Sequence, residues 1–94
     1  MKHFIVEHTF EPPLTDEEFN NMSARLQPCL QQQQIKLMRT YVSVDKSRGI
    51  CVFEASDAET VRIAHRTANI EFDRVWVGEA FIRNLEEVTE LHTR

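Results

Sequence analysis

Alternation dominates the first ten residues. Over 3–10, Phe4, Val6, His8 and Phe10 share one face, and His3, Ile5, Glu7 and Thr9 the other, which is the period of a strand. Pro12 and Pro13 end it. From Thr15 the period becomes helical. Phe19, Met22, Leu26 and Leu30 form a stripe, Thr15 and Glu18 spell a capping box, and Asp16, Glu17 and Glu18 suit the positive end of the helix dipole. Pro28 falls inside this helix and predicts a kink or a restart. Strand periodicity returns over 35–44 and 50–55, joined by a hairpin loop at 45–49 whose Gly49 is available for a positive φ. On the third strand Cys51, Phe53 and Ala55 alternate with Ile50, Val52 and Glu54. Ser56 and Asp57 open a second helix over 57–69 with the stripe Val61, Ala64, His65 and Ala68. A last strand covers 74–82. The tail 85–94 carries Leu85, Val88 and Leu91 among acidic residues and reads as a short helix or a frayed end.

Strand, helix, strand, strand, helix, strand, with right-handed crossovers, predicts a ferredoxin-like α+β domain. Its four-stranded antiparallel sheet has the order 4-1-3-2, with both helices on one face. A chain of 94 residues holds one such domain, over 1–84, followed by the tail at 85–94. The uncovered face carries Ile5, Ile50 and Val52. It therefore wants a partner surface, and a second copy of the same sheet is the simplest one.

Composition narrows the field. Hydrophobic residues make up 41% and charged residues 28%, an ordinary globular balance. A net charge of -4 argues against a nucleic-acid partner, and no run is long and apolar enough to span a membrane. The start of the chain has strand character and no apolar signal core, which predicts a cytoplasmic protein. Cys29 and Cys51 are too far apart for a Cys-x-x-Cys pair and read as reduced packing residues.

Two histidines stand where the pattern asks for apolar side chains: His8 on the helix-facing side of the first strand, and His65 in the core stripe of the second helix. That strand and that helix run parallel, which places both imidazoles at one end of the domain. The start of the first helix, with Glu18, and the start of the last strand, with Asp73, reach the same end. Two imidazoles with helper carboxylates from Glu18 and Asp73 suit nickel, zinc or copper. The competing reading gives each histidine its own local hydrogen bond and the carboxylates only to the helix dipole.

A second group lies on the open face. Glu7 and Glu54 sit on neighbouring strands, where facing side chains come within ~5 Å, and Arg39 and Tyr41 flank them. The group reads either as an interface salt-bridge network or as an acid/base pair with Arg39 and Tyr41 orienting a small organic ligand. Trp76 reads as packing, its indole N–H bonded to a nearby acceptor.

The stretches Phe4-Ile5-Val6-Glu7-His8-Thr9-Phe10, Arg39-Thr40-Tyr41-Val42-Ser43 with Cys51-Val52-Phe53-Glu54-Ala55, and Asp57 through His65-Arg66 to Trp76 together resemble the small nickel-binding-protein-like family. The resemblance implies a ferredoxin-like fold, homodimers of the dimeric α/β-barrel kind and, in the metal-binding branch, a nickel site. The first expectation is a homodimeric divalent-metal-binding protein without catalysis of its own; the alternatives are an enzyme or binding module that takes a small organic molecule in the barrel, and a structural or interaction module. His8 and His65 match two of that branch's histidine positions. Ser23 and Ile70 stand at two others. Ser23 is expected as a weaker substitute for a lost ligand.

Overall fold

The computed structural model describes residues 2–81. Its elements follow in the predicted order: β1 (Lys2–Thr9), α1 (Asp16–Gln32), β2 (Lys36–Val42), β3 (Arg48–Glu54), α2 (Ala58–Thr67) and β4 (Arg74–Glu79). The sheet order is β2-β3-β1-β4 with every pairing antiparallel. This is the predicted order read from its other edge. The tail at 85–94 and His92 lie outside the described residues. Neither described helix is long and apolar enough to cross a membrane.

The core sits between the helices and one sheet face. Phe4, Val6, Cys51 and Phe53 come from β1 and β3, Leu26 and Leu30 from α1, and Val61, Ala64 and Ala68 from α2 and its cap. Phe19 and Met22 of the predicted α1 stripe are only half-buried. Pro28 does not restart α1, which is continuous through it. Pro28 and Ala24 are both exposed, so the proline lies on the solvent side of the helix.

Sequence capping signals work as written at the helix starts. Thr15 Oγ1 accepts from Glu18 N at 3.1 Å, and Glu18 Oε1 accepts from Thr15 N at 2.9 Å. The helix ends use an arrangement that the sequence hides, because no glycine marks them. Gln34 and Asn69 take the left-handed conformation, with φ of 58 and 57. Each opens a Schellman turn: Ile35 N donates to Leu30 O at 2.8 Å, and Ile70 N to His65 O at 2.9 Å. Ile35 and Ile70 are thereby carried into the core.

Gly49 has no positive φ, contrary to expectation; in its hairpin Lys46 takes that role, with φ 65. β3 already begins at Arg48, so Gly49 is a strand residue opposite His8. Its missing side chain makes room for Phe10. A Cβ at this position would lie 3.2 Å from Phe10 Cε2. Gly49→Val therefore drives a branched side chain into that ring, and urea denaturation should show a loss of about 1–3 kcal/mol.

Candidate metal-binding site

Strand alternation turns His8 inward from β1, and the α2 stripe turns His65 down onto the sheet. Both are buried, at 3% and 0% exposure. Their ring centroids are 5.8 Å apart. Phenylalanines surround the pair. Phe10 stacks on His8 with centroids 5.7 Å apart, while Phe53 and Phe72 each meet His65 edge-on at 5.5 Å. Gly49 thus acts on the site through Phe10.

Both rings are held by the same atom. His8 Nδ1 lies 2.9 Å from Glu71 O, and His65 Nδ1 lies 2.8 Å from Val61 O. A carbonyl oxygen can only accept, so each Nδ1 carries a proton and donates it. In the neutral ring, each Nε2 then presents a lone pair. His65 Nε2 is buried and has no hydrogen-bond partner among the described residues.

Burial pushes the His65 pKa below its ordinary value; the Val61 carbonyl opposes this, and the neighbouring His8 adds to it. Burial likewise lowers His8, opposed by the Glu71 carbonyl and the charge of Asp73. Two neutral imidazoles with Nδ1–H fixed by carbonyls and Nε2 open are in the tautomer that a metal ligand requires. Their separation lies within the roughly 7 Å over which two rings can reach one ion at about 2 Å each.

The helpers expected from the sequence fare differently. Glu18 is exposed and spends its carboxylate on the Thr15 cap, so it does not serve the histidine pair. Asp73 is near enough for its charge to act on His8, but its Oδ2 accepts from Thr9 Oγ1 at 2.6 Å. Ser23 is exposed and lines a groove with Leu37, Thr40 and Cys51 that neither histidine borders, so it replaces no ligand. Ile70 is a buried core residue fixed by the Schellman turn. Among the described residues no group of three or more His, Cys, Asp or Glu side chains could hold an ion. The two imidazoles fit as two ligands of such an ion.

Cys29 and Cys51 are free, and burial pushes the Cys51 thiol up, in keeping with a packing role.

On the open face the register separates the two glutamates. Glu7 faces Ile50, and Glu54 is four positions along β3. At the rise of a strand this is about 13 Å, so the expected carboxylate pair does not form. Both do share the open face. Glu54 instead meets His3 Nε2 at 3.7 Å. Glu7 Oε2 accepts from Trp76 Nε1 at 2.7 Å, with Arg74 Nε at 3.9 Å. Arg39 pairs with neither glutamate; its Nη1 donates to Tyr41 Oη at 3.0 Å. Sequence reasoning missed that Trp76 comes to this face beside Ile5, which required the β1–β4 register. It also missed the phenylalanine cage. Phe10 was legible from alternation with His8, whereas Phe72 lies in an irregular segment with no period to read.

Comparison with known proteins agrees with this architecture. The crystal structure of SCO4226 from Streptomyces coelicolor A3(2) matches with a TM-score of 0.71 at 16% identity, covering 87% of this chain and 99% of that one. At such low identity the likeness establishes the ferredoxin-like fold. No curated protein matches the chain. A family model described as nickel responsive protein, SCO4226-like, matches residues 4–77. That match spans most of the sequence, and the chain belongs to the SCO4226-like nickel responsive protein family.

Proposed function

We propose that the protein is a homodimer that binds a divalent transition-metal ion, nickel in the first instance, through Nε2 of His8 and His65, without catalysing a reaction. The observation that carries this reading is the common state of the two rings. Both are neutral, both have Nδ1 tied to a carbonyl, and they lie 5.8 Å apart with a buried, unpartnered Nε2 on His65. A histidine that served only packing would give no reason to leave that nitrogen bare, since an unsatisfied buried acceptor costs about 1–3 kcal/mol. The description of the family as nickel responsive supports the choice of metal. Imidazole nitrogen also suits zinc and copper. The second copy covers the open sheet face.

The test is titration of untagged, metal-free protein with nickel, zinc and copper chlorides, followed by calorimetry and thermal melting. Saturable binding is expected, with stabilisation of about 2.7 kcal/mol when the free ion reaches 100 times its Kd. Affinity should fall as pH drops through the imidazole range, because both ligands must be neutral. His65→Leu is the informative variant. It removes the ligand and fills the space, and Val61 O, inside α2, keeps its helical donor. Metal binding should vanish while the metal-free fold persists. Failure of all three ions to bind, or equal binding by His65→Leu, would overturn the proposal.

A further inference from the structure

We propose that the depression at the hairpin end of the open sheet face binds a small organic carboxylate that also carries a hydrogen-bond donor, such as a hydroxy acid. The depression has a volume of about 240 Å³ and is bordered by Glu7, Tyr41, Ser43, Arg48 and Ile50. This is below the roughly 300 Å³ at which drug-sized pockets begin, so it takes a small acid rather than a nucleotide. It lies on the sheet face opposite the helices, whereas His8 and His65 point into the helix-covered side. His8 also borders the depression, but its ring is turned to the helix-covered side, so the polar groups that hold the acid are not the metal ligands. They come from one protomer, and the second copy proposed to cover this face would close over the bound acid.

Charge points to an anion. The chain carries -4 overall, yet the open face sets Arg39, Arg48 and Arg74 against Glu7 and Glu54. Both glutamates are engaged, by Trp76 with Arg74 and by His3. Neither Arg39 nor Arg48 makes an ion pair among the described residues. Arg39 is instead turned onto Tyr41, whose hydroxyl accepts its N–H at 3.0 Å. With that lone pair taken by a cation, the Tyr41 O–H is free to donate, and a carboxylate is the acceptor that gains most from it. Arg48 also lines the depression, and a guanidinium can hold a carboxylate through two N–H groups.

The turn that carries Arg48 is firmly built. Ser43 Oγ accepts from Arg48 N at 3.0 Å and donates to Asp45 Oδ1 at 2.7 Å, and Ser47 Oγ donates to the same oxygen at 2.7 Å. These hydroxyls, with the Ser47 N–H, hold the Asp45 carboxyl down to about 2. Glu7 supplies the second point of recognition. Its Oε2 is taken by Trp76, while Oε1 has no partner among the described residues and can accept from a ligand hydroxyl. Ile50 is the apolar contact between the two poles.

The experiment uses 3-hydroxybutyrate and 4-hydroxybenzoate as probes, with their methyl esters as neutral controls, in calorimetric and ¹⁵N NMR titrations of the full chain. At least one acid should saturate the protein below about 1 mM and bind at least tenfold more tightly than its ester. The single Trp76 gives one indole N–H resonance, which should move because its acceptor is Glu7. Arg48→Gln should weaken binding at least tenfold, whereas Arg62→Gln on α2 should leave it unchanged. Absence of saturation by either acid at about 10 mM, equal binding of acid and ester, or indifference to Arg48→Gln would overturn the site. Far-UV circular dichroism of Arg48→Gln checks that weakened binding is not unfolding.

Discussion

As pH falls from 7 to 5 the metal-free protein should lose stability through its two buried histidines. Burial lowers the pKa of both His8 and His65 below 6.5. In the unfolded chain the same rings take up protons near pH 6.5. Below that point the unfolded state binds protons that the native state refuses, so stability falls with pH. The contribution is fully present above the unfolded value and is lost as pH descends towards the lowered native ones. Each histidine contributes a slope of at most about 1.4 kcal/mol per pH unit between its unfolded and its lowered native value. Against a total of about 5–15 kcal/mol, even one such unit is measurable. Urea midpoints at pH 7, 6 and 5 measure it. The double variant His8→Leu with His65→Leu should flatten the profile over this window, because neither replacement titrates. A wild-type midpoint that does not change between pH 7 and 5 would mean that the rings protonate in place, and would remove the basis for treating them as neutral ligands.

The sequence disclosed the histidine pair because two independent periods converge there. Alternation by two puts His8 beside Phe4 and Val6, and the helical stripe puts His65 beside Val61 and Ala64. Both patterns reflect burial, which fixes register strongly. The open face was legible as a face but not as a map. Alternation says that Glu7 and Glu54 point the same way; only the β1–β3 register says that Glu7 faces Ile50. Register depends on where the hairpin turns, and Gly49 misled here: the left-handed residue is Lys46, and the glycine serves the close approach of Phe10 instead. The helix ends were hidden for a related reason. Gln34 and Asn69 occupy left-handed positions that a sequence with two glycines had to fill otherwise. The Nδ1 bonds to Val61 and Glu71 could not be read at all, since backbone carbonyls carry no sequence signature.

Val52→Lys should convert the proposed dimer into monomers without unfolding it. Val52 lies mid-sheet on the open face, paired with Ile5 on one side and Arg39 on the other. Around it Ile50, Tyr41 and Trp76 are 40%, 58% and 47% exposed, an apolar and aromatic surface with no helix above it. Such a surface is the kind that paired sheets bury. A lysine at its centre would place an ammonium between two sheets, opposite its own symmetry mate, at a cost of several kcal/mol. Association should weaken at least a hundredfold, since every 1.4 kcal/mol is about a factor of ten. Within a protomer the same lysine extends into solvent, away from Phe53 and Val61, so the far-UV spectrum should be unchanged. Light scattering reads the outcome directly: wild type near twice the chain mass of 11.0 kDa, and the variant near that mass. A wild-type monomer at tens of micromolar would refute the pairing. The metal proposal would survive that result, because His8 and His65 lie on the other side of the sheet and belong to one chain.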